Sequence, residues 1–357
     1  MNIGILGLPL TGKTTLFNLL TSQQKQTSSF TSRKMKNIGI ARVADERVDY
    51  LSSVYQPKKT TYATIEVIDI PGILPDMPNK EKQGVFNQIQ STDALLMIVR
   101  VFQDSLVPGN IDPLSQAESL VYEILLRDLE ITENRINRLN QSKRKLTRQE
   151  EMEKQLLEKC YSHLSDDQLL ISRSFTEDEL KLLSGFGLFT LKPVIVAINL
   201  DEEQLRNNKF PNQDSFNQFI TNHSMASIPI CGRMEMEINE LTEEEKKLFL
   251  EDLGFQETGI ERLTNVLYQH LGLISFFTIG KDEVKAWTIN KGMKAVKAAG
   301  KIHSDIERGF IRAEVVRFKD FKLLGSMQKV KEKGLFKVEG KDTIIEDGDI
   351  INFRFNV

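Results

Sequence analysis

Eight residues near the start of the chain, Gly7-Leu8-Pro9-Leu10-Thr11-Gly12-Lys13-Thr14, keep the spacing G-x-x-x-x-G-K-[ST]. They follow a short apolar run, Ile3 to Leu6, and lead into Thr14 to Leu20, where apolar residues recur with a helical period. Strand, glycine loop and helix in that order suit a phosphate cradle. Backbone N–H groups curl round the anion, glycine accepts positive φ, and the helix N-terminus adds its dipole. The spacing assigns Lys13 to β- and γ-phosphate oxygens and the Thr14 hydroxyl to Mg²⁺. These two are the candidate catalytic residues, and Pro9, Leu10, Thr11, Gly12 and Thr15 complete the candidate phosphate site.

Two β-branched runs come next, Ile38 to Val43 and Thr60 to Ile70, and the second stops at Asp69-Ile70-Pro71-Gly72. An acidic residue at such a strand end holds Mg²⁺ in P-loop hydrolases, and the N–H of the following glycine can sense the γ-phosphate. Asp69 is therefore a candidate metal residue. Where Ras-type enzymes carry a water-orienting glutamine, this chain has Ile73, which cannot hydrogen-bond to water. Slow intrinsic turnover, accelerated by a bound partner, is the expectation. The polar stretch Thr21 to Lys36 reads as a switch loop with a second metal-binding threonine, Thr31 in the first instance and Thr27 as the alternative.

Further strands are expected over Ala94 to Val101 and Pro193 to Asn199. Strands separated by helical segments point to a parallel α/β sheet. The second strand ends at Asn199-Leu200-Asp201-Glu202, where the guanine-reading motif N-K-x-D has its lysine and aspartate. Leu200 replaces the lysine and Glu202 carries its carboxylate one methylene further out. Mispairing a polar base site changes discrimination by orders of magnitude, so relaxed specificity or an adenine preference follows, with Asp201 still able to restore guanine reading. Ile228 to Arg233 resembles the last base-contacting loop of such domains, with backbone N–H groups at Cys231 and Gly232 facing a base oxygen. Asn199, Leu200, Glu202, Cys231 and Gly232 are the candidate base-site residues.

Between those two strands, Leu125, Leu129, Thr132, Ile136, Leu139, Lys143 and Leu146 recur at spacings of four and three, the heptad pattern of a coiled coil. A second periodic stretch runs from Met152 to Cys160. The expected structure is a helical hairpin with the basic cluster Lys143, Arg144, Lys145 and Arg148 near its bend. From Leu273 onwards, Ile274 to Ile279, Phe310 to Val316 and Ile350 to Phe355 read as strands of a small α+β domain.

The 357 residues suit two or three domains. Two isolated cysteines and four histidines argue against a disulfide framework or a zinc site. No run of 18 apolar residues and no basic leader is present, so a soluble cytoplasmic protein without membrane contact is expected. The net charge of −3 conceals an asymmetry. From Leu273 onwards 17 Lys plus Arg stand against 12 Asp plus Glu, a net +5, which leaves −8 for the remainder. A basic tail suits a polyanion such as RNA, and equally an ordinary soluble domain.

The phosphate motif, Asp69 to Gly72, Ile73 and Asn199 to Glu202 together resemble the YchF/Obg-like ATPase family. So do Val99 to Phe102, Leu273 to Thr278, Lys285 to Thr288, Gly309 to Glu314 and Asp347 to Val357. The resemblance implies a P-loop G domain interrupted by a helical coiled-coil arm and followed by an α+β, ubiquitin-like TGS domain. In residues this means 1–120 and 181–272 for the G domain, 121–180 for the arm and 273–357 for the TGS domain. It also implies Mg²⁺-dependent hydrolysis of ATP, with GTP as the alternative, association with ribosomes or RNA, and a monomer. Departures fall in the switch regions. Leu10-Thr11-Gly12-Lys13-Thr14 stands where the family usually has Asn-Val-Gly-Lys-Ser, the proline-phenylalanine-threonine stretch is reduced to Ser29-Phe30-Thr31, and Leu74 to Asn79 replaces a glycine-rich run. A GTP-specific enzyme, a nucleotide-gated binding module with negligible hydrolysis, and an RNA-binding protein with a vestigial site remain as alternatives.

Overall fold

The computed structural model describes residues 1–22, 37–73, 77–103 and 111–356. The chain divides into two compact units, Met1–Ile40 with Glu66–Leu263, and Ala41–Ile65 with Thr264–Val357. Among the described residues no helix is long and apolar enough to cross a membrane.

The first seven strands are β1 (Asn2–Gly7), β2 (Asn37–Arg42), β3 (Lys59–Thr61), β4 (Thr64–Asp69), β5 (Ala94–Arg100), β6 (Val194–Asn199) and β7 (Ala226–Ile230). Six of them form one sheet in the order β2-β4-β1-β5-β6-β7. Pairing is parallel from β4 through β1, β5 and β6 to β7. The registers Ile5 to Asp69, Gly7 to Ile98 and Arg100 to Asn199 bring the C-terminal ends of these strands to one edge. In an open parallel sheet that edge is where ligands bind. Every residue of β5 and β6 is buried, the continuous apolar texture of a strand covered on both faces.

The expected strand Thr60 to Ile70 is two strands. The chain breaks at Tyr62 and Ala63, where the Ala63 carbonyl accepts from Val43 N–H at 2.9 Å, and β3 joins a different sheet from β4. A continuous β-branched run hides such a change of sheet.

Helices α1 (Lys13–Thr21), α2 (Glu46–Tyr55), α3 (Asn79–Ile89), α4 (Pro113–Asn140) and α5 (Arg148–Ser165) follow the strands. The helical hairpin is α4 and α5. It starts at Pro113, eight residues before the expected boundary, because Asp112 caps the Leu114 N–H and proline suits the first helical position. The heptad residues Leu125, Thr132 and Leu139 are buried, and Arg135 pairs with Glu153 across the two helices. Lys143, Arg144, Lys145 and Arg148 are exposed at the bend, with Arg144 paired to Glu150.

The second unit holds β8 (Leu273–Thr278), β9 (Glu283–Asn290), β10 (Phe310–Arg317), β11 (Lys337–Glu339) and β12 (Asp349–Phe355), in the sheet order β11-β10-β12-β8-β9-β3. Its core gathers Phe276, Ala298, Phe310, Ile351 and Phe353. The sequence division placed residues 41–65 in the first G-domain segment, yet their contacts group them with the tail. β3 pairs in parallel with β9, and Arg47 of α2 pairs with Asp347 at 2.7 Å.

Candidate nucleotide site

Gly12 caps α1 with φ of 94°, and a Cβ there would collide with the Asn199 side-chain amide. Glycine is thus required twice at this position, for conformation and for room. Ahead of it the loop doubles back on itself, with the Thr11 hydroxyl donating to the Leu8 carbonyl at 3.0 Å. Pro9 and Leu10 are exposed, and Leu10 has φ of 62°, a left-handed conformation uncommon for a branched side chain. No side chain caps the start of α1, where Lys13, Thr14 and Thr15 follow. That is the helix terminus the sequence reading assigned to phosphate.

Lys13 is only 8 % exposed, and Nζ donates to the Leu8 carbonyl at 2.7 Å. Burial lowers its pKa to about 8, against the opposing pull of the Asp69 carboxylate. Asp69 is itself buried at the end of β4, and the Thr14 hydroxyl stands 3.5 Å from its Oδ2. Hydroxyl and carboxylate oxygens side by side are the hard donors Mg²⁺ prefers, as a partial set completed by phosphate and water. Gly72 closes this corner. A Cβ on it would stand 3.0 Å from the Pro9 nitrogen and 3.1 Å from Lys13 Nζ. Ile73 is buried in the core of the first unit. The assignment to Thr31, like its alternative Thr27, lies outside the described residues.

On the base side, Asn199 is 4 % exposed and spans two loops. Its Nδ2 donates to the Thr11 carbonyl at 3.0 Å and its Oδ1 accepts from Gly232 N–H at 3.0 Å. The sequence reading aimed both Asn199 and the Gly232 N–H at the base. In the structure this pairing also holds the phosphate loop to the loop after β7, because Asn199 and Ile230 end adjacent strands in register. Leu200 is buried in the core, so its side chain is part of the packing and not of an open ligand face. Asp201 caps the helix Glu202–Asn207, accepting from Gln204 N–H at 2.9 Å, with the Gln204 side chain returning the bond. Glu202 is half-exposed and pairs with Arg206 at 2.8 Å. Cys231 is buried beside it, and burial pushes its thiol pKa up, which disfavours the reactive thiolate. Lys13, Thr14, Asp69 and Gly72 therefore meet at one corner, while Gly12, Thr11, Asn199 and Gly232 form the adjoining wall.

Among the buried polar side chains that the sequence does not single out, two tie α4 to the sheet. Gln116 docks on the end of β5, and Asp128 of α4 accepts from Phe189 N–H, Thr190 N–H and the Thr190 hydroxyl. Gln116 carries no sequence signal. Asp128 does, as a charge set among Leu125, Leu129 and Thr132.

A relative from Bacillus subtilis (strain 168), the ribosome-binding ATPase YchF, is 37 % identical over the full length of both chains. This chain belongs to the YchF family. The YchF counterpart from Haemophilus ducreyi is also 37 % identical, over 99 % of each chain. The YchF GTPase C-terminal family model, described as a protein of unknown function, matches residues 273–356, and the 50S ribosome-binding GTPase model matches residues 2–135. The solved structure of the Schizosaccharomyces pombe YchF GTPase superposes with a TM-score of 0.86 at 27 % identity, covering 99 % of this chain and 97 % of that one. The α/β P-loop domain, the helical arm and the C-terminal unit are thus YchF architecture, and the chain is a P-loop nucleotide hydrolase of that family.

Proposed function

We propose that the protein binds Mg²⁺·ATP, with GTP as the poorer ligand, hydrolyses it slowly, and works in association with the ribosome. The names carried by its bacterial relatives support ATP and the ribosome. The observation that carries base choice is the engagement of Asp201. Its carboxylate caps a helix, and the carboxylate left at the fourth motif position is Glu202, paired with Arg206. A guanine-reading aspartate is therefore missing from the place where N-K-x-D would put it.

Lys13 neutralises phosphate oxygens, the N–H groups opening α1 cradle them, and Thr14 with Asp69 holds the cation. Bound Mg²⁺ would supply charge neutralisation to the phosphate oxygens, with Thr14 and Asp69 as the residues that would hold it. Gly72 lies against Pro9 and Lys13, close enough for its N–H to serve the γ-phosphate as the D-x-x-G motif implies. Water attacks in line, and the burial of Ile73 leaves that position without a group to orient it. Slow turnover follows, with positioning and electrostatics as the sources of rate.

The test is side-by-side titration of Mg²⁺·ATP and Mg²⁺·GTP, with single-turnover hydrolysis and a Lys13→Ala control. Tighter ATP binding and slow turnover are expected. A strong GTP preference, or fast hydrolysis by the protein alone, overturns the corresponding part of the reading.

A further inference from the structure

Two buried polar side chains of α4, twelve residues apart, help root the arm in the first unit, alongside the Glu123–Lys82 pair at 2.6 Å. Gln116 is 2 % exposed and clamps the last peptide of β5. Arg100 N–H donates to its Oε1 at 2.9 Å, and its Nε2 donates to the Arg100 carbonyl at 2.7 Å. The side-chain amide thus does for β5 what a neighbouring strand does elsewhere in the sheet. Immediately beyond, Val101 N–H and Phe102 N–H donate to the Asn199 carbonyl at 2.9 and 3.3 Å. The Asn199 side chain then joins the Thr11 carbonyl to Gly232 N–H.

From the first turns of the arm to the phosphate loop there is accordingly a short hydrogen-bonded path. It runs from Gln116 through the Arg100–Val101 peptides and Asn199 to Thr11 and Gly232, and every one of these residues is buried. Breaking one link strands a buried donor or acceptor at a cost of about 1–3 kcal/mol. Such links therefore shift together rather than singly.

We propose that Gln116 is a positioning residue through which the root of the helical arm sets the geometry of the phosphate loop and hence nucleotide affinity. The inference rests on the nucleotide-binding reading above and deepens it. Gln116 acts through Arg100 and Asn199. Movement of α4 tilts the end of β5, and Asn199 carries that tilt to Thr11 and Gly232. The second anchor provides an internal comparison. Asp128 holds Phe189 and Thr190, ahead of the opposite end of β6, a strand's length away from Asn199. An anchor there holds the arm without touching the path.

The experiment uses the full chain and three variants. Gln116→Met keeps volume and loses both bonds to Arg100, together with the longer one from Nε2 to the Asp112 carbonyl. Gln116→Glu keeps the acceptor for Arg100 N–H and loses the donor for its carbonyl. Thr190→Val removes one bond to Asp128. Mg²⁺·ATP and Mg²⁺·GTP affinities are titrated, Tm is measured without nucleotide, and amide hydrogen exchange is followed at Val101 and Gly232.

Gln116→Met is expected to weaken ATP about tenfold and to speed exchange at Val101 and Gly232 relative to the amides of Phe189 and Thr190. Gln116→Glu is expected to bind weakly near pH 8 and to recover towards parental affinity near pH 6, because a protonated carboxyl again offers a donor to the Arg100 carbonyl. Thr190→Val is expected to lower Tm and to leave affinity within about twofold. Parental affinity in Gln116→Met overturns the proposal. So does a Gln116→Glu variant with the parent's pH profile, or a Thr190→Val variant as impaired in binding as Gln116→Met. If Gln116→Met does not fold, Gln116→Glu decides through its pH profile. A parent that binds neither nucleotide defeats the functional reading instead, and the exchange measurement still decides whether the path exists.

Discussion

Lys13 Nζ donates to the carbonyl of Leu8 at 2.7 Å, so the phosphate-loop lysine is held by its own loop. Burial brings its pKa down to about 8 in spite of Asp69. A bound triphosphate raises that pKa by supplying negative charge. Below pH 8 the lysine is protonated both before and after binding, and affinity is flat with respect to this group. Above pH 8 the free protein has lost the proton and must regain it on binding. Nucleotide affinity is therefore expected to fall by up to tenfold per pH unit above about pH 8, with proton uptake detectable by calorimetry in buffers of different ionisation enthalpy. Affinity that holds constant to pH 9.5 contradicts the assignment.

Leu10 occupies the left-handed region at φ 62° while 52 % exposed. A leucine there carries strain of about 1–2 kcal/mol, which asparagine relieves by tolerating the same backbone. Leu10→Asn is expected to raise the stability of the first unit by about 0.5–1 kcal/mol, and Leu10→Val to lower it. Denaturant titration followed at the first unit reads both. Equal stability of the three proteins removes the strain argument.

The phosphate loop was legible because its chemistry leaves few choices of residue, and the structure brings Gly12, Lys13, Thr14 and Asp69 together as the motifs imply. Strands β1, β5 and β6 were legible from continuous apolar runs. What stayed hidden depends on long-range placement. Thr60 to Ile70 looks like one strand because nothing in its composition marks a change of sheet. The motif shows that an asparagine stands at position 199, and not that its amide joins Thr11 to Gly232. Gln116 was invisible, since one glutamine on a helix resembles any other until its burial against Arg100 is known. β9 alternates in Glu283 to Asn290, but its charged and polar residues masked a strand that is half-buried.

Asp128 is enclosed, and burial raises its pKa to about 6 although Thr190 and Phe189 donate to it. Its folded pKa lies above the unfolded value, so the folded state holds a proton that the unfolded state has released between about pH 4 and 6. This group therefore stabilises the fold at acid pH and gives up that contribution as pH rises through 6. Thr190→Val removes a 2.6 Å bond made to the charged form. The loss is expected to be about 1.5–3 kcal/mol at pH 7 and to shrink below pH 5, where the carboxyl is protonated. Denaturant midpoints at the two pH values test this, and an equal loss at both sinks it.

Residues 41–65 complete the tail unit with three kinds of contact. The β3–β9 pairing runs from Lys59 with Glu283 to Thr61 with Lys285, and the Thr61 hydroxyl donates to Glu283 at 2.6 Å. Arg47 pairs with Asp347 and lies over the Phe277 ring. Tyr50 meets Phe318 edge-on at 5.7 Å, and Tyr55 stacks on Phe321 at 5.8 Å. A fragment cut at Leu273 exposes those rings and leaves β9 as a bare edge, which favours association with other chains. Leu273–Val357 alone is expected to unfold at a lower temperature and to aggregate. The same fragment carrying residues 41–65 through a flexible linker is expected to be monomeric and to melt in one cooperative step. In the linked protein, Arg47→Ala is expected to cost about 1–3 kcal/mol, because it leaves Asp347 without its charged partner. Thermal unfolding followed by circular dichroism, with sedimentation for association state, distinguishes these outcomes. If the short fragment matches the linked one in stability and association state, residues 41–65 are not a structural part of the tail unit.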